Sequence, residues 1–158
     1  MNTLMTCPDL CIRDTGPERG RGVFALRRFA AGETVETAPI LVLKVDYDDL
    51  PALLKTYVFD WTALTGVPRS QAVALGYGSM YNHSNPANLR YVADARTNVM
   101  RYVAVRDIEP DEELTINYNA FGGVHEWDDD NWFERAEIEL IDSNDTNDDR
   151  TRADHEDA

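Results

Sequence analysis

ALGYGSMYNHSNPAN, residues 74–88, sets a run of small residues and two glycines directly against a cluster of hydrogen-bonding side chains. Gly76 and Gly78 lack the side chains that keep backbones apart, so this composition lets the chain pass close to another segment. Tyr81 to Asn88 then gathers Asn82, His83, Ser84, Asn85 and Asn88 between apolar stretches. Buried amides and imidazoles must find partners. The cluster therefore reads either as a self-satisfied turn or as a ligand site, and composition favours neither.

The flanking segments read mostly as strands. Upstream, GRGVFALRRF (Gly20 to Phe29) is a glycine turn feeding a strand, with Val23 and Ala25 on one face and Phe24 and Leu26 on the other. A turn at Ala31-Gly32 leads into ETVETAPILVLKV (Glu33 to Val45), β-branched and expected to form one or two strands interrupted at Pro39. LPALLKTYVFDW (Leu50 to Trp61) fits a short helix giving way to an aromatic strand or turn, and periodicity leaves helix or strand open. Downstream, Leu89 to Ala93 and Val99 to Val105 alternate around a polar loop and predict a hairpin. A turn over Arg106 to Asp111 precedes one more strand, ELTINY (Glu113 to Tyr118). Trp127 to Ile141 is aromatic, acidic and expected to be partly helical, and no internal repeat is present. Many short strands with little helix predict a mainly β fold.

The chain has 158 residues, 43% hydrophobic and 28% charged, which suits one domain and not two. Of the net charge of -14, Glu126 to Ala158 holds -11, with 14 acidic residues against 3 arginines. That balance argues against a nucleic-acid backbone as partner and suits a basic protein, or simply a solvating tail. Cys7 and Cys11 exclude a disulfide scaffold and a four-cysteine zinc site, no metal is expected, and the two thiols point to a reducing compartment. No apolar run nears the ~20 residues of a membrane span, and the first residues lack signal-peptide character. A soluble, intracellular protein without membrane contact is expected.

Two further features bear on chemistry. Gly20-Arg21-Gly22 would let a ligand approach backbone N–H and C=O groups, although turn glycines before a strand are common. Tyr118 ends an apolar strand, where its hydroxyl either enters a cavity or packs. In order, GRGVFA, ALGYGSMYNHSNPAN and RDIEPDEELTINY together resemble the SET domain of protein lysine methyltransferases, over about Gly20 to Tyr118. The layout is similar to the compact viral and bacterial type, including TYVFDW before the central motif and NWF after the last strand.

The resemblance implies a mainly β fold of several small sheets and few short helices. In it the segments through Asn82-His83 and Tyr118 meet in a knot-like crossing near the C-terminal end, an exception to the usual avoidance of threading. It divides the chain into a lead (1–19), a SET domain (20–119) and an aromatic and acidic segment completing the cofactor site (120–141), and the acidic tail (142–158), polar and poor in apolar residues, is expected to be disordered. By family pattern Gly20, Arg21 and Gly22 offer backbone contacts to the methionine portion of S-adenosylmethionine, and Asn82 and His83 bind its adenine and amino-acid ends. Tyr118 is the catalytic residue where the cofactor pocket meets the lysine channel, with Tyr57 and Phe121 as further channel residues. Trp132 and Phe133 are the candidates to cover the adenine; ordinary packing accounts for Tyr57 equally well, and a tail-to-core staple accounts nearly as well for Trp132 and Phe133.

The implied activity is methyl transfer from S-adenosylmethionine to a lysine of a basic protein or peptide, a histone or other chromatin protein first among them. The alternatives are a catalytically silent SET-like module that binds a basic partner, and a methyltransferase of a ribosomal or translation protein. Tyr118 present together with Asn82 and His83 favours catalysis. Two departures stand out: Ala87 separates Pro86 from Asn88, and Asn119 replaces the glycine that often follows the catalytic tyrosine. Ile40 to Val45 is an apolar segment of the kind that supports a homodimer, a state the sequence leaves open. The target lysine and the number of methyls are not legible.

Overall fold

The computed structural model describes residues 9–119 and 122–128. Cys7 and the 142–158 tail lie outside the described residues. Leu10–Asp14 (β1), within what the sequence reads as a lead, pairs antiparallel with Arg21–Ala25 (β2), Leu10 opposite Ala25 and Asp14 opposite Arg21. The expected alternation in β2 holds, with Val23 and Ala25 fully buried and Leu26 just beyond the strand 54% exposed. The elements that follow are β3 (Thr34–Leu43), a 3-10 turn (Tyr47–Asp49), α1 (Ala52–Lys55), β4 (Val58–Asp60), α2 (Trp61–Thr65), β5 (Gln71–Ala74), β6 (Asn82–His83), β7 (Leu89–Asp94), β8 (Val99–Ala104) and β9 (Glu113–Ile116). They form a four-stranded sheet, β1-β2-β9-β6, and a five-stranded sheet, β4-β5-β3-β8-β7.

β3 corrects one expectation, since it runs through Pro39 without a break. Its first half pairs with β8 as far as Pro39, and its second half pairs with β5 from Ile40 onward. The residue that lacks an N–H thus sits where the strand changes partner, a position that tolerates proline. Within the apolar run after it, Ile40 is buried and Leu41 is 53% exposed, so the strand shows alternating faces and not a continuous exposed apolar one. LPALLKTYVFDW resolves into both candidate structures in turn, α1 and then β4. α2 follows directly: Asp60 Oδ1 accepts the Ala63 N–H at 2.9 Å, and Gly66 closes the helix in the left-handed region at φ 77. Trp61, Tyr81, Tyr102, Phe29, Leu89 and Met100 are among the largest side chains withdrawn from water.

The two sheets meet at a crossing of distant segments. β6 runs parallel to β9, Asn82 beside Thr115 and His83 beside Ile116. Asn88 extends the join with its side chain, donating to the Glu113 carbonyl at 2.8 Å and accepting the Thr115 N–H at 2.8 Å. Beyond β9 the chain returns along the other side of the same motif. Ala87 N–H donates to His125 O at 2.7 Å, Tyr91 N–H to Gly123 O at 3.0 Å, and Asn85 Nδ2 to Trp127 O at 2.6 Å. Residues 82–91 therefore pass between β9 and residues 123–127, the knot-like crossing that the resemblance implies. Gly123 is required there: its φ is +70, and an added Cβ would stand 2.0 Å from the Tyr91 carbonyl oxygen.

Candidate active site

The first sheet gathers the glycine motif and the central motif at one corner. β2 pairs with β9 only at Val23 and Phe24, so among the described residues no strand covers Arg21 and Gly22 on that side. Asn82, which opens β6 on the far edge of β9, brings its side chain there. A Cβ on Gly22 would lie 3.1 Å from Asn82 Nδ2 and 2.5 Å from Glu113 Oε1. Asn82 Nδ2 donates to Glu113 Oε1 at 2.8 Å, and Arg19 holds the same carboxylate at 3.1 Å. Gly20, at φ +68, has open space where a Cβ would point. A short uncovered backbone edge beside a fixed side-chain amide offers donors and acceptors together, and so fits the polar end of S-adenosylmethionine.

His83 links this corner to Tyr118. Its Nδ1 accepts the Tyr118 backbone N–H at 3.0 Å, so a neutral imidazole carries its proton on Nε2. The rings stand 5.3 Å apart, centroid to centroid, at 59°. Tyr118 lies two residues past the end of β9, and its hydroxyl donates to the Tyr81 carbonyl at 2.6 Å. On its other side opens a cavity of about 370 Å³. Tyr57, Phe59, Tyr81, Tyr91 and Tyr118 form its aromatic walls, with Asp48, Asp60 and Gln71 among its polar ones.

Tyr91 and Tyr118 stay protonated. Burial pushes the Tyr118 hydroxyl well above the ordinary tyrosine range, against a smaller downward pull from Arg19, with Glu113 and Tyr57 adding to the rise. Burial also raises Tyr91, aided by Asp60. Tyr91 donates its hydroxyl proton to Asn117 O at 3.3 Å. The donor hydrogens are thus directed into the protein while oxygen lone pairs remain, an arrangement that accepts hydrogen bonds and does not abstract protons.

Beneath Tyr81 lies a carboxylate that the sequence reading missed. Glu36 is 2% exposed; its Oε2 accepts the Tyr81 hydroxyl at 2.6 Å and its Oε1 accepts the Tyr77 N–H at 2.9 Å. Burial holds its pKa above the usual glutamate value, opposed by those two hydrogen bonds. A continuous path runs from Glu36 through the Tyr81 hydroxyl and ring, and on from the Tyr81 carbonyl to the Tyr118 hydroxyl. Its sequence signal is register, since Glu36 shares the parity of the buried Ala38 and Ile40 along β3. Glu113 was missed too, although it opens the quoted ELTINY strand.

Of the expected site residues, Gly20, Arg21, Gly22, Asn82 and His83 come together along one sheet, and Tyr57 and Tyr118 share the cavity. Tyr118 joins the two groups. Phe121, Trp132 and Phe133 lie outside the described residues. The central cluster divides between its two readings: Asn82 faces the open corner, whereas Asn85 and Asn88 stitch the crossing.

Residues 20–119 match the family model of the SET domain. A histone-lysine N-methyltransferase of Schizosaccharomyces pombe, specific for H3 lysine-37, is 36% identical over 141 residues, covering 87% of this chain and 87% of that protein. A Plasmodium falciparum protein whose crystal structure carries the name of a histone methyltransferase superposes with a TM-score of 0.57 at 25% identity, over 72% of this chain and 96% of that one. A structure of ctPRC2 shares the fold, with a TM-score of 0.56 at 19% identity over 72% of this chain and 15% of that one. The chain belongs to the SET domain family. It is a protein-lysine methyltransferase, and the family implies S-adenosylmethionine as methyl donor. Among the described residues no helix is long and apolar enough to cross a membrane.

Proposed function

We propose that the chain methylates a lysine of a histone or another basic chromatin protein, with the cofactor held at the Gly20-Arg21-Gly22 and Asn82-His83 corner and the lysine in the tyrosine-lined cavity. The observation that carries this reading is the position of Tyr118, bonded to His83 through its backbone and facing the cavity with its side chain. S-adenosylmethionine, when bound, supplies a methyl group already activated on a cationic sulfur. The chain's own residues then have to hold, dry and aim the amine. Aromatic walls strip water from the lysine, which disfavours its ammonium form and frees the lone pair. Lone pairs on Tyr118 accept an amine N–H and orient the nitrogen, without acting as a base, because burial keeps that hydroxyl protonated. Methylation would leave a surplus proton on the nitrogen, and the exposed Asp48 at the cavity wall would offer it a way to solvent.

The substrate class is supported by the Schizosaccharomyces pombe relative, by the net charge of -14 and by Asp48 and Asp60 at the cavity, which favour a lysine among other basic residues. Transfer of labelled methyl groups to histone H3, other chromatin proteins and ribosomal proteins tests it. Label on H3 is expected, falling roughly 100-fold in Tyr118→Phe while cofactor affinity stays within about two-fold. Equal labelling by the two proteins would remove Tyr118 from the mechanism, and label confined to ribosomal proteins would overturn the chromatin assignment.

A further inference from the structure

Gln71 opens β5, paired with Asp60 of β4 and Leu43 of β3, and forms part of the cavity wall. It is 6% exposed, and its Oε1 is buried without a hydrogen-bond partner among the described residues. Other polar groups beside it or on the cavity wall do have protein partners. Ser70 Oγ donates to Val67 O at 2.6 Å, Ser79 Oγ to Tyr57 O at 2.9 Å, and the Tyr81, Tyr91 and Tyr118 hydroxyls each meet a protein acceptor. A buried amide oxygen left unpaired opposes folding by its full desolvation, so a group of this kind calls for a partner from outside the chain. An apolar side chain of the same length would fill the place without that penalty.

We propose that Gln71 is a substrate-recognition residue, whose side-chain oxygen accepts an N–H of the lysine segment bound in the cavity. The inference rests on the reading of this cavity as the lysine channel. The amide sits on a strand whose backbone is fixed on both sides by β3 and β4, so the side chain is delivered to the cavity at a set position. Gln71 forms part of the cavity wall, and turning the amide about its last bond exchanges oxygen and nitrogen, so the side chain can present its acceptor to a donor bound in the cavity. That donor is either the lysine ε-amine or a main-chain N–H of the peptide. Tyr118 and Gln71 then act on different terms: Tyr118 orients the reacting nitrogen, and Gln71 adds binding to the ground state and transition state alike, which appears in KM and not in kcat.

The test is Gln71→Met in the full chain, assayed with an H3 peptide labelled by the wild-type enzyme. Peptide KM is expected to rise about five-fold, as for one lost neutral hydrogen bond, with kcat within about two-fold and the melting temperature unchanged or higher. An unchanged KM in an active enzyme overturns the proposal and leaves the lysine-channel reading intact; failure of that reading shows instead as no methyl transfer by the wild type. If Gln71→Met lowers the melting temperature, Gln71→Glu decides, because it keeps an oxygen acceptor: recovery of the wild-type KM supports the proposal, and a KM as weak as that of Gln71→Met refutes it. A trimethyl-lysine form of the same peptide, which has no ε N–H at its target, separates the two donors. The five-fold difference in peptide affinity disappears there if Gln71 binds the amine, and persists if it binds the main chain.

Discussion

Gly22→Ala tests the corner where the glycine and asparagine motifs meet. The new methyl would stand 2.5 Å from Glu113 Oε1, 2.9 Å from Thr15 Cγ2 and 3.1 Å from Asn82 Nδ2. Glu113 Oε1 ends a flexible side chain, so the carboxylate swings aside and the fold survives. The swing breaks the bond from Asn82 at 2.8 Å and strains the pair with Arg19 at 3.1 Å. The first is worth about 1 kcal/mol or somewhat more, and the second less, since the Arg19 side chain is 40% exposed and its pairing is weakened by solvent. Together they give a destabilisation of about 1–2 kcal/mol, or a melting temperature lower by roughly 3–8 °C. Asn82 loses its anchor and the open edge narrows, so the dissociation constant of S-adenosylmethionine, measured by calorimetry, should rise at least about ten-fold. Glu113→Gln is the control. It keeps an acceptor for Asn82 and adds no methyl at Gly22, so cofactor affinity should stay within about three-fold. A lowered melting temperature with unchanged cofactor affinity in Gly22→Ala would refute the assignment of this corner to the cofactor.

Glu36→Gln addresses the carboxylate beneath Tyr81. Because burial raises the Glu36 pKa, the folded chain binds that proton more tightly than the unfolded chain; this contribution to stability is complete below the ordinary glutamate pKa and is lost as pH rises through the raised value. Glutamine does not titrate, so the stability of Glu36→Gln relative to wild type should increase as pH rises above the ordinary glutamate pKa of about 4 in urea unfolding, and a pH-independent difference would contradict the assignment. Gly123→Ala forces a Cβ to within 2.0 Å of a backbone oxygen at φ +70, where neither side can yield. It should cost more than about 3 kcal/mol or prevent folding, as read by circular dichroism, and a melting temperature like the wild type's would be incompatible with the crossing described.

Alternating burial marks the start of β7 and the Val23–Ala25 part of β2, whereas β8 and β9 are buried over nearly their whole length and are legible as short apolar and β-branched runs bounded by turns. β5 is harder to read: in Gln71-Ala72-Val73-Ala74, small residues and a buried glutamine mask the pattern. β6 has only the two residues Asn82 and His83, too few for any periodicity, and its parallel partner lies more than thirty residues downstream. The candidate site was legible where its residues belong to quoted motifs. Glu36 and Gln71 were not: register along β3 hints that Glu36 is buried, but its partners Tyr77 and Tyr81 lie some forty residues away in sequence.

Residue order and local chemistry alone establish the strand-rich character, the hairpin, the three motifs and the family they resemble. Local preferences act over a few residues, and that is the range over which they decide structure. Bringing Gly22 against Asn82 and Glu113 and setting Tyr118 between His83 and the cavity depend on β6 lying along β9 while residues 123–127 close over the same motif. Such pairings are stabilised only when the whole chain has collapsed and the entropy of closing long loops has been met, so no short window of sequence contains them.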